Sequence, residues 1–157
     1  MSEFQIRPMT SAEFAVYRER SIRDYAAEHV RAGNWNSSQA EALAAKQTDD
    51  LLPDGVDTPG MVLLAAETTN AGVIGIVWVE LQHEQTTGAW IYDIQIDEEF
   101  RGAGLGRTTL RSAEEFAKAH GATQLGLNVF GSNAVARHLY ETSGFQVKNV
   151  LMYKDFD

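Results

Sequence analysis

The segment IYDIQIDEEFRGAGLGRTTL, residues 91–110, decides the fold. Its first part is apolar at Ile91, Ile94 and Ile96 and reads as a strand. From Gly104 to Ala119 the apolar and small residues Leu105, Thr109, Ala113, Phe116 and Ala117 recur at helical spacing. Between the two lie Gly102, Gly104 and Gly106, three glycines in five residues. Glycine lets the main chain come close to a ligand and turn its N–H groups inward, and a helix start adds unpaired N–H groups and the positive end of a dipole. A strand, a glycine turn and a helix in this order predict a site for an anionic, phosphate-bearing molecule.

The spacing separates this turn from two common phosphate motifs. A dinucleotide fingerprint would need glycine at Arg107 or Thr109, and a P-loop would need glycine at Arg101 and lysine at Arg107. What fits is Arg/Gln-x-x-Gly-x-Gly/Ala after an apolar strand, carried here by Arg101, Gly104 and Gly106. Downstream, LGLNVFGSNAVARHLYETSGF, residues 125–145, supplies an apolar strand, an Asn that opens a helix, and Leu-Tyr-x-x-x-Gly-Phe. Together these blocks resemble the GCN5-related N-acetyltransferase (GNAT) family over residues 61–156, and more loosely over the whole chain.

Working outward, Phe4–Ile6 reads as a strand and Ser11 onward as a helix, and Gln39–Leu51 repeats the helical pattern. Residues 53–60 have the turn composition of a loop. Met61–Glu67, Val73–Leu81 and Ala89–Ile96 read as strands joined by hairpin-length links. Gln124–Val129, a helix over Asn133–Thr142 and a last strand over Val147–Tyr153 complete the chain. The order β-αα-βββ-α-β-α-β predicts an α/β (α+β) fold, a mixed, mostly antiparallel sheet of about six to seven strands with helices on both faces. That is the acyl-CoA N-acyltransferase arrangement the resemblance implies, in a single domain over residues 1–157.

Composition narrows the function. The chain has 157 residues, no cysteine and a net charge of −9. Cysteine nucleophiles, disulfides and thiolate metal sites are excluded, and His29, His83, His120 and His138 lack metal-ligand spacing, so no metal is expected. An acidic surface repels nucleic acid and anionic membrane and favours a cationic acceptor. Binding an anion on such a surface demands local compensation, and Arg101, Arg107 and Arg111 cluster at the glycine turn. No basic-plus-apolar leader and no apolar run of about 20 residues is present. The expectation is a soluble, cytoplasmic protein, alone or as a homodimer, with no nucleic-acid or membrane partner.

The resemblance implies an N-acetyltransferase that takes acetyl-CoA as co-substrate and a small-molecule or peptide amine as acceptor. It implies that the pyrophosphate sits over Arg101, Gly102, Ala103, Gly104, Leu105, Gly106 and Arg107, and that the cofactor's amide arm pairs with the main chain of Ile94, Gln95 and Ile96. By the same resemblance a main-chain N–H near Ile94 polarises the thioester, Tyr140 donates a proton to the CoA sulfur, and Asn133 touches the pantetheine. Ser132 or Asn133 could equally cap its helix. Where some relatives carry a glutamate on the strand after the phosphate helix this chain has Asn128, which cannot accept a proton. Asp93 and Glu80 are then the carboxylates best placed to reach a sheet-centred site. Tyr25, His29 and Trp35 fall in the region that forms one wall of the acceptor cleft in the family. Loss of catalysis, leaving an acyl-CoA-binding sensor or interaction domain, is the competing expectation.

Overall fold

The computed structural model describes residues 3–157. In chain order the elements are β1 (Phe4–Pro8), α1 (Ser11–Arg31), α2 (Ala40–Leu51), β2 (Met61–Thr68), β3 (Gly72–Glu80), β4 (Gly88–Ile96), α3 (Leu105–Ala119), β5 (Gln124–Leu127) and α4 (Ala134–Thr142). Five strands form one sheet in the order β1-β2-β3-β4-β5. The first four are antiparallel neighbours, and β5 joins β4 in parallel. The mixed sheet and the helix order follow the sequence expectation.

Local sequence explains the main elements. Thr10 caps α1 and Glu13 reaches back to the Thr10 main chain, a reciprocal capping box that fixes the helix start. The runs MVLLAAET and GVIGIVWVE place β2 and β3 at the sheet centre, where both faces are covered and uninterrupted apolar residues are tolerated. Leu110, Ala113 and Ala117 of α3 close one face over Leu64, Val77, Val79 and Ile91. On the other face Tyr17 of α1 packs with Leu52, Leu63, Ile76 and Trp78.

Two departures from the expected layout bear on function. First, the expected strand over Val147–Tyr153 does not form: residues 146–157 carry no regular structure and are exposed throughout, so the sheet has five strands rather than six or seven. A strand needs a partner edge as well as apolar residues, and this segment lies beside none. Second, β4 is not regular. Trp78 pairs with Asp93 and Val79 with Ile91, so Tyr92 is an extra residue in a bulge. Among the described residues no helix is long and apolar enough to cross a membrane.

Candidate active site

The bulge marks the point at which β4 and β5 part. Their parallel pairing covers Gly88–Ile91 against Gln124–Leu127 and stops there. Past Ile91, the edge of β4 that faced β5 has no strand beside it, and Ile94, Gln95 and Ile96 lie in this opening. A polar extended chain could add itself there as a strand.

At the far end of the opening stands the glycine turn. Gly102 and Gly104 have φ of 84° and 80°, the left-handed region that glycine occupies without a Cβ penalty, and a Cβ built on either meets nothing within 4 Å. Gly104 is the N-cap of α3 and offers no capping side chain. The first N–H groups of the helix are therefore left to an acceptor from outside. Gly106 faces Leu139 and Ile96 at ordinary contact distances of 3.7 and 3.9 Å, so alanine would fit there.

The arginines are less free than their clustering in sequence suggests. Arg101 Nε donates to the carbonyl of Ile96 at 2.8 Å, tying the turn to the end of β4. Arg107 donates to Ser143 Oγ at 3.0 Å and Thr142 Oγ1 at 2.8 Å, which fastens α3 to the end of α4. Arg111 is exposed and forms no ion pair among the described residues.

Two acids and a phenol meet across the opening. Asp93 accepts a 2.7 Å hydrogen bond from Tyr17 of α1 and 3.2 Å contacts from Gln95 Nε2. The protein packed around it raises its carboxyl above the usual carboxylate range, against the lowering effect of the Tyr17 and Gln95 donors. Glu28, three turns of α1 beyond Tyr17, is raised by burial and then by the nearby Asp93 charge. Tyr140 on α4 is pushed up to about 12 by burial first and by Asp93 and Glu28 next. Its hydroxyl makes no hydrogen bond to the rest of the described chain.

Asn133 caps α4, accepting from the Ala136 N–H at 3.1 Å; the local role is present, and its exposed position leaves the amide nitrogen free. Glu80 lies elsewhere. It pairs with Trp90 at the other end of β4 and accepts from Tyr92 OH at 3.1 Å, with His83 Nδ1 at 2.6 Å. It is not among the charges that act on Tyr140. The structure thus groups Asp93 with Tyr140 and separates both from Glu80.

Several contributors were not singled out from sequence. Glu28 lies between Tyr25 and His29, three positions beyond Tyr25, and its signal was an acid on the inward side of an amphipathic helix. Arg20 pairs with Asp97 at 3.0 Å and, with Asp24, Gln95 and Arg101, lines a cleft of about 630 Å³ beside the glycine turn. Phe130, just past β5, meets the His29 ring edge-on at 5.1 Å, and His29 stacks on Trp35 at 4.0 Å. Tyr25 touches both rings edge-on. The expected wall residues therefore form one aromatic cluster at the C-terminal end of α1, with Phe130 against it.

Comparison with known proteins agrees with this fold. The model of the acetyltransferase (GNAT) family matches residues 20–145. The uncharacterized N-acetyltransferase YycN of Bacillus subtilis is 36% identical over 151 residues, covering 95% of this chain and 96% of YycN. Its crystal structure superposes with a TM-score of 0.94 at 34% identity, over 98% of this chain and 99% of that one. The aminoglycoside N-acetyltransferase AAC(6')-Iy in complex with CoA shares the fold with a TM-score of 0.66 at 14% identity, over 99% of this chain and 96% of that one. This chain belongs to the GNAT family and is an acetyltransferase.

Proposed function

We propose that this protein moves the acetyl group of acetyl-CoA to a primary amine by direct attack of the amine on the thioester. The observation that carries the reading is the parting of β4 and β5 at the Tyr92 bulge. It opens a strand-wide slot whose one end is the uncapped start of α3 and whose side holds Asp93, Glu28 and Tyr140. AAC(6')-Iy, of the same fold, holds CoA in its complex.

Each need of the reaction then falls to a group in the slot. The N–H groups of the first turn of α3 and the Gly102–Gly106 main chain receive the pyrophosphate, a contact that requires no side chain. The free edge of Ile94–Ile96 pairs with the amide arm, and an N–H near Ile94 polarises the thioester carbonyl, a kind of donor worth about 2.7 to 4 kcal/mol of barrier. A primary alkyl amine with pKa near ~10.4 arrives protonated at neutral pH. Glu28 and Asp93, both raised by burial, take that proton directly or through water. The C–N bond forms, and as the tetrahedral intermediate collapses the C–S bond breaks, Tyr140 gives its proton to the departing thiolate, and the proton shed by the attacking nitrogen restores the phenol. An acidic slot suits a cationic acceptor that loses its charge only on arrival.

The test is release of free CoA thiol with a panel of primary amines, alongside calorimetry with CoA. Turnover with at least one amine is expected. Tight CoA binding without turnover across the panel would instead describe a sensor, and absence of CoA binding would overturn the slot itself.

A further inference from the structure

The C-terminal segment is the part of the molecule that neither the sheet nor the site absorbs. Between Val147 and Phe156 it presents Val147, Val150, Leu151, Met152, Tyr153 and Phe156 at 63, 72, 79, 83, 79 and 88% exposure. Apolar side chains this dense and this exposed mark a contact surface rather than a solvated tail. Their β-branched and aromatic character is that of a strand.

The same chain carries a strand edge with nothing on it. β5 ends the sheet, so its outer N–H and C=O groups form a row without a partner strand. Leu125 and Leu127 of β5, with Phe116 and Phe145, are only partly buried at that margin of the core.

The root of the segment is fixed. Gly144, at φ 96°, ends α4, and Phe145 turns back so that its N–H bonds the Tyr140 carbonyl at 3.0 Å and its ring lies 5.8 Å from that of Tyr140. From Gln146 on, the chain leaves its own core and touches its own β5 nowhere along a strand. In a chain of net charge −9 the segment from Gln146 to Tyr153 has no acidic residue and includes Lys148, so an acidic copy of the same protein attracts it.

We infer that Val147–Tyr153 of one chain adds as a sixth strand to the free edge of β5 in a second copy, and that the second copy returns the exchange. A reciprocal exchange closes as a twofold dimer and leaves neither edge open. It gives both copies the strand that the sequence encodes and the single chain cannot place.

The absence of cysteine makes the test direct. One preparation carries Gln124→Cys on β5 and another, with a tag, Leu151→Cys on the segment. Mixed, allowed to exchange and oxidised, they are expected to give a disulfide-linked heterodimer that neither yields alone. The unaltered protein should sediment at twice 17.3 kDa, with slow hydrogen exchange at the amides of 147–153. A Val147→Asp/Leu151→Asp variant should sediment as a monomer, its helical circular dichroism reporting whether each copy still folds. The inference is overturned by a monomeric wild type whose segment amides exchange freely. It is overturned equally by a Gln124→Cys/Leu151→Cys chain that closes within one monomer, or by a dimer that survives the double Asp substitution.

Discussion

The hydroxyl of Tyr17 donates a 2.7 Å hydrogen bond to Oδ2 of Asp93, joining the first helix to the fourth strand across 76 positions of sequence. Tyr17 is 4% exposed, so this is a buried bond to a carboxylate rather than a surface contact. Loss of such a bond costs about 1.5 to 3 kcal/mol. Tyr17→Phe is expected to lower stability by that amount in urea unfolding. It should also move the Asp93 titration further up, because the Tyr17 donor is a lowering influence on that carboxyl. An unchanged midpoint together with an unchanged pH–rate profile would deny both roles.

Asp93→Asn separates stability from activity. The folded carboxyl titrates above its unfolded value, so its contribution to stability is complete below the unfolded pKa and is lost as pH rises through the folded one. At neutral pH the charged form is thus a burden to the fold. The amide variant is expected to be at least as stable as the wild type at pH 7 and to turn over more slowly, with partial recovery at alkaline pH where more amine arrives neutral. A variant that unfolds more easily at pH 7 would show that the charge helps the fold.

Glu28→Gln is expected to remove or flatten the acidic limb of kcat/KM. In the wild type that limb should lie above the ordinary glutamate range, because burial and the Asp93 charge hold the Glu28 proton on to higher pH. If Glu28→Gln and Asp93→Asn both leave the limb in place, solvent takes the proton and the site works by positioning.

Tyr140→Phe should keep CoA affinity and slow turnover by about 10² or more, within the usual range for a positioned acid. With the phenol pushed up to about 12, no loss of rate from its ionisation is expected below strongly alkaline pH. Wild-type kcat in the folded variant would return Tyr140 to packing against Phe145.

Gly104→Ala and Gly104→Glu form a graded pair at the glycine turn. Since a Cβ at Gly104 meets nothing within 4 Å, alanine is expected to cost only the left-handed backbone, about 1 to 2 kcal/mol. Glutamate adds a charge where phosphate sits and should abolish CoA binding in a folded protein. Calorimetry with CoA on both variants decides, and equal affinity would remove the turn from the site.

How much of this was legible depended on how local the cause was. The turn at 101–106 and the stripe of α3 could be read because glycine conformation and helical periodicity are decided within a few residues. Tyr140 could be proposed because it falls in the Leu-Tyr-x-x-x-Gly-Phe block, and Asp93 because it lies on the strand that leads into the glycine turn. Glu28 was not, because its value arises from α1 crossing the sheet at Asp93, a relation that sequence spacing does not encode. Glu80 was the second carboxylate candidate after Asp93, and the strand register puts it beside Trp90, two paired positions from the Trp78–Asp93 pair. The 147–153 strand was over-read for a related reason: strand character is visible in one chain, whereas the edge it requires is not.

The extra residue at Tyr92 changes the phase of β4. In an unbroken strand the side chains alternate, so Ile91 toward α3 would place Asp93 and Gln95 toward α3 as well. With one residue inserted, Ala89, Ile91, Ile94 and Ile96 all look toward α3, while Tyr92, Asp93 and Gln95 look toward α1. A single strand thereby keeps one face oily along its whole length and turns the other from aromatic packing to acid chemistry midway. Without Tyr92 the strand would alternate simply, with Ile91, Ile94 and Ile96 still toward α3 and Asp93 still toward α1. What the inserted residue adds is a second consecutive side chain on the α1 face, so that the Tyr92 ring against Trp78 and the Asp93 carboxyl against Tyr17 stand side by side with no apolar residue between them.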